Sequence, residues 1–205
     1  NVDTYGPLWV MTSAGVAVAA RWVLCALGLW TTGAASCPDS PLACQMLTGY
    51  VTAYRLLAIG LTGASAGLIA GLVGRVRPEL VPAAVAAWLW NPLLLMSTAV
   101  GAHNDALMIV LVLGCLWLWQ RQRWIAGLLV LVLAAHVKLI VLILLPALGL
   151  WLVRQVGWRR AVGISLVGAG LGVGVSWLLY APFGGWGTLP RMVAERAVFA
   201  ANSPW

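Results

Sequence analysis

The chain has 205 residues, 62% of them apolar and 8% charged, with a formal net charge of +7 and a mean hydropathy of +0.97. A soluble domain of this length cannot bury so much apolar surface, which excludes a water-soluble enzyme and makes lipid the solvent. The basic residues stand singly or in pairs between apolar runs, which argues against a nucleic-acid partner and makes the charge a matter of membrane topology.

Apolar runs occupy Leu8 to Trp30, Thr48 to Val73, Leu80 to Val100, Ala106 to Trp119, Ile125 to Ala135, Leu139 to Val153 and Ala161 to Tyr180. They are rich in Leu, Ala and Gly and show no alternation, so the expected fold is all-α, a polytopic transmembrane helix bundle. The first run is long enough to span, yet Arg21 lies in its middle. It either crosses the bilayer or lies along the outer interface with Arg21 snorkelling. The count is therefore six crossings plus one outer-interface helix, or seven crossings. The segment from Gly33 to Gln45 has no Lys or Arg and should face outside, where a Cys37–Cys44 disulfide is compatible with an oxidising compartment. Cys25 and Cys115, inside apolar runs, read as small core residues.

Short loops carry Arg75 and Arg77, then Arg121 and Arg123, then Arg154, Arg159 and Arg160. The positive-inside rule puts all three in the cytoplasm, so an even number of crossings separates each from the next. Between the second and third loops lie only Trp124 to Val153. Two helices of about 13 to 15 residues, roughly 20 Å each, must share that stretch and turn below the outer surface. The turn holds His136 and Lys138. An ammonium facing lipid costs at least ~2.5 kcal/mol, so Lys138 should face a cavity open to the outside. The alternative is one tilted 28-residue helix, which breaks the charge rule. The Trp residues mostly flank the runs and read as an aromatic belt.

The densest polar stretch is His103-Asn104-Asp105, at the outer boundary and on the same side as Lys138. The simple reading makes Asn104 or Asp105 a helix cap; it does not account for all three residues together. Arg55, several residues inside the second run, is either a snorkelling side chain or an anion contact. With His136 and Lys138 it would form a basic pocket suited to the head group of an anionic lipid or to a lipid-linked phosphate. His136 alone reads as a satisfied helix-end residue. His103, His136 and Asp105 are too few to support a metal site, and no cofactor is expected. The glycines from Gly168 to Gly174 suit close helix packing and not nucleotide binding. No repeat or linker divides the chain, so residues 1–205 form one domain.

Several stretches in order resemble the polyprenyl-phosphate-mannose-dependent mannosyltransferases, members of the multi-spanning GT-C class of membrane glycosyltransferases. They are Tyr5-Gly6-Pro7-Leu8-Trp9, Tyr54-Arg55-Leu56-Leu57, Asn91-Pro92-Leu93, Gly101 to Leu107 with His103-Asn104-Asp105, Val137-Lys138-Leu139 with Pro146, Tyr180-Ala181-Pro182-Phe183 and Asn202-Ser203-Pro204. The resemblance implies transfer of a sugar, with mannose expected, from a polyprenyl-phosphate donor to a glycan or glycolipid acceptor. The site would face outward from the cytoplasmic membrane of a bacterium. It also implies Lys138, Arg55 and His136 on the donor phosphate and His103, Asn104, Asp105 and Tyr5 lining the sugar or acceptor. In such enzymes a carboxylate in the first external loop is the base. Only four residues precede Tyr5 here, so Asp3 and Asp105 are the weak candidates and the chain reads as the central part of a longer membrane protein. A non-catalytic subunit of a larger membrane assembly and a transporter are the alternatives. Membrane lipids are expected partners and nucleic acid is not.

Overall fold

The structure, a computed structural model, describes residues 6–27, 41–96 and 104–188, with the side chains of 41–48, 95 and 188 left aside. Its elements are α1 (Pro7–Ala26), α2 (Pro41–Gly74), a 3-10 turn (Pro78–Leu80) leading into α3 (Val81–Leu89), α4 (Pro92–Leu95), α5 (Asp105–Gln120) and α6 (Trp124–Ala135). A 3-10 stretch (Leu139–Leu144) then runs into α7 (Leu145–Val156), and α8 (Trp158–Tyr180) ends in the short turns Ala181–Phe183 and Gly185–Thr188. Among the described residues there is no strand. The helical segments Pro7–Ala26, Gly49–Gly74, Leu139–Val156 and Trp158–Phe183 are long and apolar enough to cross a membrane. Large apolar side chains point outward, among them Trp90 (83% exposed) and Ile143 (73%), as expected where lipid replaces water around the bundle.

Basic loops gather at one end. Arg75 Nη1 donates to the Gln120 carbonyl at 3.2 Å and Gln120 Nε2 donates to the Leu72 carbonyl at 3.3 Å, joining the ends of α2 and α5. The Trp151 ring of α7 lies 5.5 Å from Trp119 and 6.5 Å from Trp124. Both arms of the α6–α7 hairpin therefore begin and end where α5 ends, and the three Arg-bearing loops share a side as the parity argument requires.

The arms of that hairpin are unequal, which corrects the expectation of two short helices. α6 has 12 residues and rises about 18 Å. The return arm ends at Val156 and not Val153, and it opens with six residues of 3-10 helix. At ~2 Å per 3-10 residue, its 18 residues reach about 30 Å. Pro146 supplies the reason. It lacks the N–H that would bond the Leu142 carbonyl in an α-helix, and Leu145 N–H takes that carbonyl in 3-10 fashion.

Two further expectations change. The run from Leu80 to Val100 is broken at Asn91-Pro92, where Asn91 Oδ1 accepts from Leu93 N–H at 3.0 Å and Leu94 N–H at 3.4 Å. Asn91 thus caps a new helix with proline at its first position, a favoured helix start. α2 begins at Pro41, inside the segment expected to be an outer loop.

α1 stays near the end opposite the basic loops. Tyr54 Oη donates to the Ser13 carbonyl at 3.0 Å, and further along α1, Leu24 packs on Gly49. Tyr54 and Gly49 are roughly 30 and 38 Å up α2 from Gly74, so α1 moves away from the basic end as it proceeds. That path is compatible with the outer-interface alternative, although by length and apolarity α1 is also able to cross.

The core joins Cys115 and Trp119 of α5, Leu131 and Ala134 of α6, Leu148 and Leu152 of α7 and Ala161 of α8. Cys115 is the core residue expected, whereas Cys25 is half-buried on α1. Trp119 is 1% exposed and packs edge-on to Trp124 at 5.4 Å, so this part of the supposed belt turns inward. α6 and α8 run parallel in register: a Cβ on Gly168 would meet Leu128 and one on Gly172 would meet Val132 at 3.0 Å, while Gly170 and Gly174 face open space. Small residues four apart let the two backbones approach. Replacing Gly168 and Gly172 together by Ile should cost about 1–3 kcal/mol through overpacking and lower the thermal midpoint in detergent. The same change to Ile at Gly170 and Gly174, where a Cβ meets nothing within 4 Å, should leave it unaltered. Cysteines placed at Gln122 and Arg159 should be labelled from the same side of the membrane, and labelling from opposite sides would contradict the hairpin.

Candidate functional site

The end opposite the basic loops collects the start of α1, the start of α5, the α6 turn and the end of α8. α5 starts at Asp105 because Asn104 supplies the N-cap carbonyl, which accepts from Leu107 N–H at 3.1 Å and Met108 N–H at 3.3 Å. The Asn104 side chain makes no capping bond, contrary to the simple capping reading. It is 4% exposed, and its Nδ2 has no hydrogen-bond partner among the described residues. A buried amide left unpaired costs about 1–3 kcal/mol, which marks it as a donor awaiting an acceptor.

Asp105 turns to Lys138. The Lys138 ammonium donates to Asp105 Oδ1 in an ion pair whose side chains are 39% and 33% exposed. Two charges 33 residues apart in sequence thereby meet at the half-open end of the bundle. Each removes the cost the other would carry alone at membrane depth.

Lys138 is placed by the turn before it. α6 ends at His136, whose N–H bonds the Val132 and Leu133 carbonyls at 3.1 Å, and Val137 and Lys138 N–H both return to the Ala134 carbonyl at 3.0 Å. His136 Nε2 lies 2.8 Å from Ser176 Oγ of α8, and that hydroxyl donates to the Gly172 carbonyl at 2.8 Å. A hydroxyl has one proton, so Nε2–H must be the donor to Ser176, leaving Nδ1 as the acceptor of the neutral ring. Tyr180, one turn beyond Ser176, sits edge-on to His136 at 5.5 Å between centroids.

The first helix closes the arrangement. A Cβ on Gly6 would overlap the His136 carbonyl, so only glycine allows this approach, and Pro7 behind it is fully buried. Trp9 reaches Tyr54 of α2 at 6.4 Å. Of the residues expected here, Asn104, Asp105, His136 and Lys138 do come together. Arg55 does not share their hydrogen bonds: it is exposed on α2, next to Tyr54. Tyr5, His103 and Asp3 lie outside the described residues, as does the Cys37–Cys44 pairing. Ser176 was not expected. Its only sequence signal is the four-residue spacing Gly168, Gly172, Ser176, Tyr180, which continues the glycine stripe into the site. No group of three or more His, Cys, Asp or Glu side chains able to hold a metal occurs among the described residues.

Fold and site together define a polytopic α-helical membrane protein with a partly exposed ion pair at one end and its basic loops at the other. The chain matches the MptA/B family, described as alpha-(1->6)-mannopyranosyltransferase, N-terminal domain, over residues 3–155, and it belongs to that mannosyltransferase family. No curated protein and no solved structure matches it significantly.

Neutralising one member of the ion pair should destabilise the protein more than neutralising both. A double-mutant cycle of Asp105→Asn and Lys138→Gln, followed by thermal unfolding in detergent, should give a coupling of about 1–3 kcal/mol. Additive losses would mean that the contact contributes nothing to stability.

Proposed function

We propose that the chain transfers mannose from a polyprenyl-phosphate donor to a glycan or lipid acceptor at the outer face of a bacterial cytoplasmic membrane. The observation that carries this reading is the Lys138–Asp105 pair, set beside the buried unpaired amide of Asn104 in a chain of a mannosyltransferase family. Sidedness rests on the positive-inside rule: the Arg-bearing loops face the cytoplasm, so the end bearing the ion pair faces outward.

In the transfer the bond from the anomeric carbon to the donor phosphate oxygen breaks. A bond to the acceptor hydroxyl oxygen forms, the hydroxyl proton passes to a base, and polyprenyl phosphate departs. Lys138 stabilises the charge growing on that phosphate, an effect that is large where water is excluded. A phosphate arriving at Lys138 competes with Asp105 for its protons. Donor binding therefore loosens the resting ion pair and frees the carboxylate toward the sugar or acceptor. His136, tied to Ser176 and covered by Tyr180, holds the turn that aims Lys138. Asn104 Nδ2 donates to a sugar or acceptor oxygen, with His103 and Tyr5 alongside. Arg55 meets the outer part of the pyrophosphate-free head group as the lipid enters past α2. The base is a carboxylate of the external loop expected from the family resemblance, with Asp3 and Asp105 as the candidates within the chain.

Membranes containing the full-length protein, given polyprenyl-phosphate radiolabelled mannose, should lose about 10²–10³ of the transfer rate with Lys138→Ala. Asn104→Ala should lose less, since one neutral hydrogen bond is worth about 1 kcal/mol. An undiminished rate in Lys138→Ala removes Lys138 from the mechanism, whereas no transfer by the unaltered protein favours a non-catalytic subunit.

A further inference from the structure

The opposite end of the bundle holds an open cavity of about 520 Å³ that the transfer reaction does not use. It is lined by Arg75, Gln120, Gln122 and Gln155 against a wall of Trp119, Trp124 and Trp151. This volume falls within the range of ordinary small-molecule sites. We propose that it binds the head group of an anionic phospholipid that carries free hydroxyls beside its phosphate, as phosphatidylglycerol does.

Depth is the first argument. Gly74 ends α2, Gln120 ends α5, Trp124 begins α6 and Gln155 stands in the last turn of α7, so the cavity lies where helices leave the hydrocarbon. A tryptophan wall fits that boundary. Basic recesses between helices on the cytoplasmic side are where anionic head groups bind.

Charge is the second. Arg75 commits one N–H to the Gln120 carbonyl, which fixes the guanidinium at the rim and leaves a planar fork able to grip two phosphate oxygens. The ion pair at this end joins Arg77 to Glu79, both well exposed. Among the described residues no ion pair is formed by Arg75.

The third argument selects hydroxyls. Gln120 Nε2 donates to the Leu72 carbonyl, so its Oε1 is oriented as an acceptor, and that oxygen is buried without a partner. A phosphate offers only acceptors and cannot satisfy it. A hydroxyl can. Gln122 adds an independent sign, since it is the non-glycine residue with positive φ among the described residues, at +58°. Glycine is the usual occupant of such a position after a helix. The glutamine at this position places another amide on the cavity.

Native mass spectrometry of the intact chain in mixed micelles tests this with three lipids: palmitoyl-oleoyl phosphatidylglycerol, the corresponding phosphatidylcholine, and phosphatidylmethanol, which has the same charge and no hydroxyl. Phosphatidylglycerol should be retained about tenfold over phosphatidylcholine, a difference that one charge-assisted bond supplies. Arg75→Gln should abolish that preference. Gln120→Leu should instead abolish only the preference for phosphatidylglycerol over phosphatidylmethanol. Gln122→Gly should lower retention without lowering the thermal midpoint, which separates a lost ligand contact from misfolding. Equal retention of phosphatidylglycerol and phosphatidylcholine, or an unchanged preference in Arg75→Gln, overturns the proposal. So does displacement of the lipid by millimolar glycerol phosphate at equal occupancy, which would make the ligand a soluble ester.

Discussion

Much of this structure follows from one constraint: an ammonium at membrane depth needs a partner. Lys138 cannot sit in the middle of a lipid-facing helix at tolerable cost. The chain therefore ends α6 at Ala135, turns, and presents Lys138 where the first turn of α5 offers Asp105. The pair is only half covered, with side chains a third or more exposed. A fully buried pair would be held against any competing ligand. A fully exposed one would contribute little to stability or aim. The intermediate setting is the one that the proposed exchange of Asp105 for a phosphate requires.

What holds the turn in place is close packing. Gly168 and Gly172 bring α8 against α6, and the same register delivers Ser176 to His136. Gly6 then admits the start of α1 against the His136 carbonyl. Three elements far apart in sequence thus converge on one turn through residues with little or no side chain. The opposite end is built differently, from arginines, amides and interlocked indoles around an open cavity. That asymmetry matches a protein whose two ends face different compartments.

The crossings and their parity were legible in the sequence because charge and apolarity are one-dimensional signals. The α5 boundaries fall within a residue of the apolar run, and the hairpin followed from having only 30 residues between two basic loops. Features that depend on rotation about a helix axis were not legible. Nothing in the spacing says that Asp105 meets Lys138 rather than capping its own helix, or that Trp119 faces inward while Trp158 is 70% exposed. The break at Asn91 and the 3-10 arm before Pro146 were hidden by their hydropathy, since both lie in runs apolar enough to read as continuous helix. Both carry a proline whose missing N–H redirects the local hydrogen bonds.

The central claim is that Lys138 rests on Asp105 and exchanges it for a phosphate. Solid-state NMR of the protein in bilayers, with labelled lysine nitrogen and aspartate carboxyl carbon, measures that contact directly. The account predicts a strong dipolar coupling between Lys138 Nζ and Asp105 Cγ in the resting protein. On saturation with polyprenyl phosphate it should be replaced by a coupling from Lys138 Nζ to phosphorus. Absence of the first coupling, or its persistence unchanged alongside no contact to phosphorus, would contradict it.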